Sequence, residues 1–280
     1  MIIKIVIIYE LVNMIFAEST DYCALKCDGP EGVNENTACK CETGSDCGNE
    51  PQLLIPDEET KQYIIKLHNE AREKVASGST RLPAASNLNA LAYDDQLQYT
   101  ATCWAKQCAF RHDRCRRTEH FQTAGQNIFT STGECDGKTV FKTVVDLWYS
   151  EIDEASVDCI RYYTGCSGHF TQLVWAMTTH VGCSRILANG QCLIACNYGP
   201  AGNMLGNPVY NEGSINCLRE PIYTSLCKSA DPITAAADSP TPPGIPVSPG
   251  SRISAANINL HSQKLIIILV TIILTFSYIH

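Results

Sequence analysis

Apolar residues recur every three to four positions in three stretches of the chain, which is the period of an amphipathic α-helix. The stretches are residues 57–76, 89–108 and 139–153. Acidic residues at the start of the first stretch favour the positive end of a helix dipole, and Gly78 supplies a stop after it. The pattern therefore predicts three helices in the first part of the chain.

A hairpin is predicted farther along. Residues 181–188 and 191–198 flank Asn189-Gly190, a dipeptide that suits a two-residue type I′ turn because both positions need φ > 0. This turn fixes the register and gives three cross-strand pairs: Ala188 with Gln191, Leu187 with Cys192, and Cys183 with Cys196. The last pair falls on a site without hydrogen bonds, where Cα atoms lie about 4.5 Å apart. We therefore expect a Cys183–Cys196 disulfide, whereas Cys192 needs a partner elsewhere.

Helices followed by a small antiparallel sheet indicate an α+β domain in which helices are layered against the strands. Residues 56–227 hold these elements, and residues 18–55 form a cysteine-rich extension before them. The segment 23–47 is short and polar and holds five cysteines, so we expect disulfides rather than a core to stabilise it.

Composition narrows the class of protein. The chain has 280 residues, a formal net charge of −8 and 16 cysteines. The acidic balance argues against a nucleic-acid partner, which requires a basic surface. So many cysteines indicate an oxidising compartment, and they are better explained as bridges than as a thiolate nucleophile. Chemistry of the serine-triad or thiol type therefore has no support.

Both ends carry targeting patterns. Residues 1–17 are mostly apolar and end in a small residue, which predicts a secretory signal peptide; a buried N-terminal strand is the alternative. Residues 228–256 form a predicted stalk, in which residues 238–250 include five prolines. Residues 257–280 combine a polar spacer with an apolar run, which predicts a glycosylphosphatidylinositol (GPI) attachment signal, with a short single-pass anchor as the alternative. We expect an extracellular protein attached to the outer cell surface.

Two long motifs resemble the signatures of the CAP superfamily, which includes cysteine-rich secretory, antigen-five and pathogenesis-related proteins. The first is Gly168-His169-Phe170-Thr171-Gln172-Leu173-Val174-Trp175, and the second is Cys196-Asn197-Tyr198-Gly199-Pro200-Ala201-Gly202-Asn203. The opening Asp21-Tyr22-Cys23-Ala24-Leu25-Lys26-Cys27 is most similar to arthropod antigen-five proteins. The resemblance covers roughly residues 20–210.

This resemblance implies an α-β-α sandwich with a three-stranded antiparallel sheet between helical layers. It also implies four disulfides: Cys23–Cys39, Cys27–Cys115, Cys47–Cys108 and Cys183–Cys196. Eight cysteines remain outside that pattern, and sequence cannot choose among their pairings. For two of them, Cys217 and Cys227, proximity in the chain favours a bridge.

The resemblance further implies a cleft that holds His112, Gln126, Glu151 and His169. Position 126 departs from many relatives, which have Glu there, and the change removes one candidate base. His112 and His169 are candidate ligands for a divalent metal such as zinc, although no cofactor is expected to be obligatory. The alternative is a satisfied polar network that orders the surrounding loops.

Three functions stay open at this point. The leading hypothesis is a non-enzymatic binding module for a lipid, sterol or other small hydrophobic ligand, or for an extracellular protein partner. The second is a metal-dependent hydrolase that uses His112, His169 and Glu151. The third is an inhibitor or receptor-blocking protein that acts through its disulfide-held loops. In each case the C-terminal anchor would make the membrane a further partner.

Overall fold

The computed structural model describes residues 20–133 and 135–229. The predicted signal peptide, the predicted attachment signal and all but the first two residues of the predicted stalk lie outside the described residues. Within the part that is described, no helix is long and apolar enough to span a membrane.

The helices are α1 (Glu58–Ala76), α2 (Asp95–Ala105), α3 (Thr139–Ser150), α4 (Val157–Arg161) and α5 (Gly168–Leu173). Asp57 caps α1 by accepting a hydrogen bond from the backbone N of Thr60 at 2.9 Å. The first and third helices match the predicted stretches, and a 3₁₀ turn at Glu151–Asp153 continues α3. The short helices α4 and α5 were not predicted.

The predicted second helix, residues 89–108, is wrong at both ends. Its first residues instead form the short strand β4 (Ala92–Tyr93), and Asp94 then caps α2 by accepting from the backbone N of Leu97 at 2.7 Å. At the other end, Cys108 has a positive φ of 51°, which a helix cannot contain. The helical period persists in the sequence, but contacts with the sheet and a disulfide interrupt the helix.

The main sheet has five strands. Its three long strands are β5 (Gly125–Ser131), β6 (His180–Ala188) and β7 (Gln191–Gly199), which pair antiparallel with β7 in the middle. Strand β3 (Gln52–Leu53) pairs antiparallel with one end of β6, and β4 pairs parallel with its other end. The expected three-stranded sheet is therefore extended by two short strands, one of them parallel. A separate hairpin, β1 (Cys27–Gly29) and β2 (Gly32–Asn34), lies in the N-terminal extension.

Side chains of β7 alternate between two helical layers. Ile194, Cys196 and Tyr198 belong to the main core with apolar residues of α1, α3 and α5. Leu193 and Ala195 contact apolar residues of α2 on the opposite face. Because successive residues of a strand point to opposite faces, the sheet lies between helices on both sides. The α+β class and the α-β-α sandwich are confirmed.

The hairpin has the predicted register. Strands β6 and β7 pair Ala188 with Gln191 and Cys183 with Cys196, with Asn189 and Gly190 at positive φ. The Cys183 and Cys196 Cα atoms lie 4.0 Å apart and the residues form a disulfide. Cys192, which faces Leu187, is bonded to Cys135.

All sixteen cysteines lie in the described ranges and form eight disulfides. Four pairs are those that the resemblance implies, namely Cys23–Cys39, Cys27–Cys115, Cys47–Cys108 and Cys183–Cys196. The other four are Cys41–Cys103, Cys135–Cys192, Cys159–Cys166 and Cys217–Cys227. The extra bridges tie the N-terminal extension to α2, attach the segment before α3 to the hairpin, and close two short loops.

Gly182 allows α2 to approach β6 closely. A Cβ atom at this position would lie 2.2 Å from the backbone N of Gln98 and 2.6 Å from the carbonyl O of Asp94. Both atoms belong to the backbone at the start of α2, so neither can rotate away. The packing of the smaller helical layer therefore depends on a residue without a side chain.

We expect Gly182→Ala to lower the free energy of unfolding by about 1–3 kcal/mol, because the new methyl group overpacks a rigid contact. Urea denaturation of the oxidised protein measures the effect. The matched control is Gly133→Ala, where the nearest atom to the new Cβ is a side-chain oxygen at 3.9 Å. That variant should stay within about 0.5 kcal/mol of wild type. Equal stability of the two variants would contradict the close approach.

Candidate functional site

Glu151 and His169 form the first of two polar pairs at the predicted cleft. Glu151 follows α3, and α5 begins directly beside it. One carboxylate oxygen accepts from His169 Nδ1 at 2.6 Å, and the other accepts from the backbone N atoms of His169 and Phe170 at 2.9 and 3.1 Å. Three donors inside the protein therefore occupy the Glu151 carboxylate.

The same contacts fix the orientation of the His169 ring. Because Nδ1 faces a carboxylate, it carries the proton when the imidazole is neutral, and Nε2 then presents its lone pair. The ring stacks on Trp148, with centroids 6.0 Å apart and planes inclined by 10°. The His169 side chain is 38% exposed, so Nε2 belongs to a group that solvent can reach.

His112 and Gln126 form the second pair. His112 Nδ1 lies 2.8 Å from Gln126 Oε1, an amide oxygen that can only accept, so Nδ1 is the donor. Gln126, which is largely buried on β5, also donates from Nε2 to Asn197 Oδ1 at 3.0 Å. Asn197 in turn donates to Thr100 Oγ1 at 2.9 Å on α2. This chain of hydrogen bonds anchors the exposed His112 to the interior.

Strand β5 connects the two pairs. Gln126 holds His112, and the next residue, Asn127, donates from Nδ2 to the carbonyl O of His169 at 3.0 Å. No direct hydrogen bond joins one pair to the other within residues 20–133 and 135–229. The structure thus assembles the four predicted cleft residues as two pairs rather than as one connected tetrad.

The donor atoms fit a divalent metal, but only in part. Both imidazoles use Nδ1 in a hydrogen bond, and a bonded Nδ1–H orients the opposite nitrogen as a ligand. Gln126, by contrast, supplies no charge and no base. In the described part of the chain, no group of three or more His, Cys, Asp or Glu side chains is placed to hold a metal ion. Two imidazole nitrogens are therefore the ligands that this site offers.

Sequence reasoning missed three residues that build the site. Asn127 and Asn197 position its two halves. Asn197 lies inside the second motif, and Asn127 directly follows the predicted site residue Gln126. Trp148 was predicted only as an apolar position of the third helix, yet its ring also supports His169. A polar residue in the otherwise apolar run 192–198 was the available signal for Asn197, whereas Asn127 lies in a largely polar strand that offers no such signal.

A buried network lies behind the His169 half. Asn127 Nδ2 lies 3.5 Å from Tyr198 Oη, which lies 3.0 Å from His68 Nε2, while His68 Nδ1 lies 2.8 Å from the carbonyl O of Ile64. His68 is fully buried, and this burial lowers its pKa to about 4. Burial also raises the pKa of Tyr198. His68 is therefore neutral in the folded protein.

Comparison with known proteins gives a consistent family. The model of the "Cysteine-rich secretory protein family" (CAP) matches residues 65–198. The chain is similar to "Venom allergen 5" of Polistes dominula, with 36% identity over 234 residues that cover 75% of this chain and 97% of the relative. It is also similar to "Venom allergen 5" of Brachyponera chinensis, with 38% identity over 201 residues that cover 64% and 99%.

Solved structures agree with this assignment. The crystal structure of NaASP2 with Zn²⁺ has a TM-score of 0.55 and 32% identity, and the match covers 62% of this chain and all of that one. The crystal structure of Na-ASP-1 has a TM-score of 0.54 at 23% identity, which supports the fold alone.

The buried His68 predicts a loss of stability in acid. Between its unfolded pKa of 6.5 and its folded pKa of about 4, the unfolded chain binds the proton and the folded chain does not. Stability therefore falls as the pH decreases through this window, by about 3 kcal/mol in total. Urea denaturation at several pH values measures the slope.

His68→Gln should flatten this part of the stability profile, since glutamine does not titrate. Wild type and variant should show parallel profiles between pH 7 and pH 8, where the imidazole is neutral in both states. A variant profile as steep as that of wild type below pH 6.5 would show that other groups cause the loss.

Proposed function

Because the chain belongs to the CAP family of cysteine-rich secretory proteins, we propose that it is an extracellular, non-enzymatic binding protein for a small hydrophobic ligand such as a fatty acid or sterol. The observation that carries the non-enzymatic part is the Glu151 carboxylate, whose two oxygens accept three hydrogen bonds inside the protein. A carboxylate has about four acceptor positions, and three of those on Glu151 are committed to the protein, whereas a general base directs a lone pair at a substrate or water. Glu151 is used instead to hold α5 and His169 in place.

The same geometry weighs against the metal-dependent hydrolase. That mechanism requires a carboxylate near the metal to activate water, and Gln126 cannot serve because an amide neither gains nor loses a proton at ordinary pH. Replacing Glu by Gln at this position leaves Glu151 as the remaining acid among the four cleft residues. Its engagement with α5 makes hydrolysis the weaker candidate.

Exposed apolar side chains, two of them in a segment attached to the helix of His169, support the choice of ligand. Tyr162, Met204 and Leu205, here called the apolar rim, are 61%, 42% and 73% exposed. Asn203 attaches the rim to α5 by donating to the Gly168 carbonyl O at 2.8 Å and accepting from Thr171 Oγ1 at 2.8 Å. Apolar groups exposed together mark a binding surface more often than they mark a free one. A protein partner would bind the same surface and contact a larger area of it.

The compartment follows from the disulfides. Eight bridges persist only where thiols are not reduced, which favours the outside of the cell. Membrane attachment through residues 257–280 belongs to the same proposal. Release of the protein from expressing cells by a phosphatidylinositol-specific phospholipase, followed by mass spectrometry, tests it, and a released form that still holds the apolar run 265–279 would disprove lipid attachment.

Acidic substitutions in the rim should weaken ligand binding. We expect Met204→Glu/Leu205→Glu to lower the affinity for a fluorescent fatty-acid probe by about tenfold or more, because each charge must be desolvated against an apolar ligand. The control is Val33→Glu, which alters a 66% exposed apolar residue on β2. The readout is probe affinity in the oxidised protein. Wild-type affinity in the rim variant, or no probe binding by wild type, would refute this ligand class.

A second, compatible role is the binding of a divalent metal by His112 and His169. The observation that favours it is the engagement of both Nδ1 atoms, which leaves each Nε2 as the ligand. The similar protein NaASP2 has been crystallised with Zn²⁺. Bound zinc would supply a positive charge that attracts an anionic headgroup, while this chain's own residues hold the two imidazoles in position.

Zinc affinity should fall when the two imidazoles are removed. Calorimetric titration with Zn²⁺ should show a loss of at least tenfold for His112→Ala/His169→Ala, since two ligands disappear together. His120→Ala provides a matched control, because that imidazole is paired with Asp94 outside the site. Unchanged affinity in the double variant, or equal losses in both variants, would place any bound zinc elsewhere.

A further inference from the structure

The loop closed by the Cys217–Cys227 disulfide is rigidly attached to the core. Leu226 is fully buried, and Cys227 donates its backbone N–H to the Leu88 carbonyl O at 2.7 Å and accepts from the Ala90 backbone N at 2.8 Å. The arms of the loop pair with each other, because the Lys228 N–H donates to Leu218 O at 2.7 Å. The loop therefore holds its shape without any partner.

Two carboxylates stabilise the tip of this loop from within. Glu220 accepts from the backbone N atoms of Ile222 and Tyr223 at 2.6 and 2.8 Å, and Glu73 of α1 accepts from the Ser225 backbone N at 3.1 Å. The acidic groups near the tip are thus directed toward the backbone. They fix where the outward-facing side chains project.

Those outward-facing side chains are aliphatic and basic. Leu218 and Ile222 are 74% and 78% exposed, among the most exposed large apolar residues of the described chain. Met177, 49% exposed, meets Leu218 across a depression of about 420 Å³. Arg219 and Lys228 are exposed as well, and neither forms an ion pair with a described residue. Exposure of these apolar side chains to water is unfavourable in free energy.

We propose that this loop, defined by residues 217–228, inserts Leu218 and Ile222 into the surface of an anionic lipid bilayer. Aliphatic side chains flanked by cations are the composition that binds at the headgroup boundary, where the apolar groups leave water and the cations meet lipid phosphates. Arg219 lies two residues after Cys217 and Lys228 directly after Cys227, and neither is engaged in an ion pair with a described residue. The protein as a whole has a negative net charge, whereas this loop has a positive one.

The position of the loop in the chain favours a bilayer over another occupant. The described residues end at Ser229, directly after the loop, and residues 230–264 separate it from an apolar run at 265–279. A chain of the intervening 35 residues reaches at most about 115–125 Å, so the loop stays within that distance of the attachment point. Membrane attachment at that end of the chain, by a lipid after cleavage of the run or by the run itself, would keep the loop within reach of lipid at a high effective concentration.

Tryptophan fluorescence in the full chain tests this directly. Native Trp104, Trp148 and Trp175 are at most 8% exposed, so a tryptophan introduced on the surface reports separately on its own position. The variants are Ile222→Trp, Leu218→Trp and, as a matched control, Val33→Trp on β2. Each is reconstituted into phosphatidylcholine vesicles with about 30% phosphatidylserine, made with or without brominated acyl chains.

Since interfacial side chains lie about 5–10 Å into the headgroup boundary, brominated lipid should lower the introduced emission of Ile222→Trp and Leu218→Trp by about half and leave Val33→Trp nearly unchanged. Adding Arg219→Gln/Lys228→Gln should reduce this quenching on phosphatidylserine vesicles, because each cation contributes about fivefold to binding an anionic surface.

Equal quenching of all three variants, or quenching of none, would overturn the proposal. An emission shift of Ile222→Trp that depends on protein concentration without vesicles, together with no quenching by brominated lipid, would assign the loop to contact between copies of the chain and also overturn it. Using two probe positions guards against a variant that fails to fold, and circular dichroism before reconstitution identifies such a variant.

Discussion

A fully buried cation, Arg72 on α1, joins three separate parts of the chain through their backbone carbonyls. Its Nε donates to Asn89 O at 2.6 Å, its Nη1 to Leu173 O and Trp175 O at 2.8 and 3.0 Å, and its Nη2 to Thr178 O at 3.3 Å. Burial lowers the pKa of Arg72 to about 9, so the guanidinium remains charged at neutral pH. Buried carbonyls require donors, and hydrogen bonds from a charged group are each worth about 1.5–3 kcal/mol. Four of them offset the cost of burying a charge that forms no ion pair with a described residue.

The polar face of α1 thereby controls the position of the site. His68 lies one turn before Arg72 and contacts Tyr198, while Asn69 exchanges two hydrogen bonds with the backbone of Leu91 at 2.7 and 3.1 Å. The segment held by Arg72 begins at the end of α5, so α1 determines where that helix stands and hence where His169 lies. The position of His169 therefore depends on a helix that contributes no side chain to the two polar pairs.

The sequence predicts best where geometry is local. The Asn189-Gly190 turn fixes a whole hairpin, because one turn type determines every cross-strand pair that follows it. The second helix was misplaced because Ala92–Tyr93 joins the sheet through contacts distant in sequence, which no period reveals. Nothing in the sequence indicated that Arg72 is buried, since arginine on a helix is usually exposed. The presence of Glu151 and His169 in one cleft came only from the family resemblance. Their direct pairing and the use of Glu151 as a cap for α5 needed coordinates, as did three disulfides: Cys41–Cys103, Cys135–Cys192 and Cys159–Cys166.

Two of the additional disulfides close short loops that display apolar side chains in water. Cys159–Cys166, seven residues apart, encloses Tyr162 of the rim, and Cys217–Cys227, ten residues apart, encloses Leu218 and Ile222. An unconstrained loop with such side chains can turn them inward, and a partner then has to bear the entropy of ordering it. A short covalent loop removes most of that freedom in advance, which leaves more of the contact energy for binding. These two disulfides therefore have a second effect besides stabilising the fold. They hold exposed apolar side chains in a fixed arrangement, which lowers the entropy cost of any contact made there.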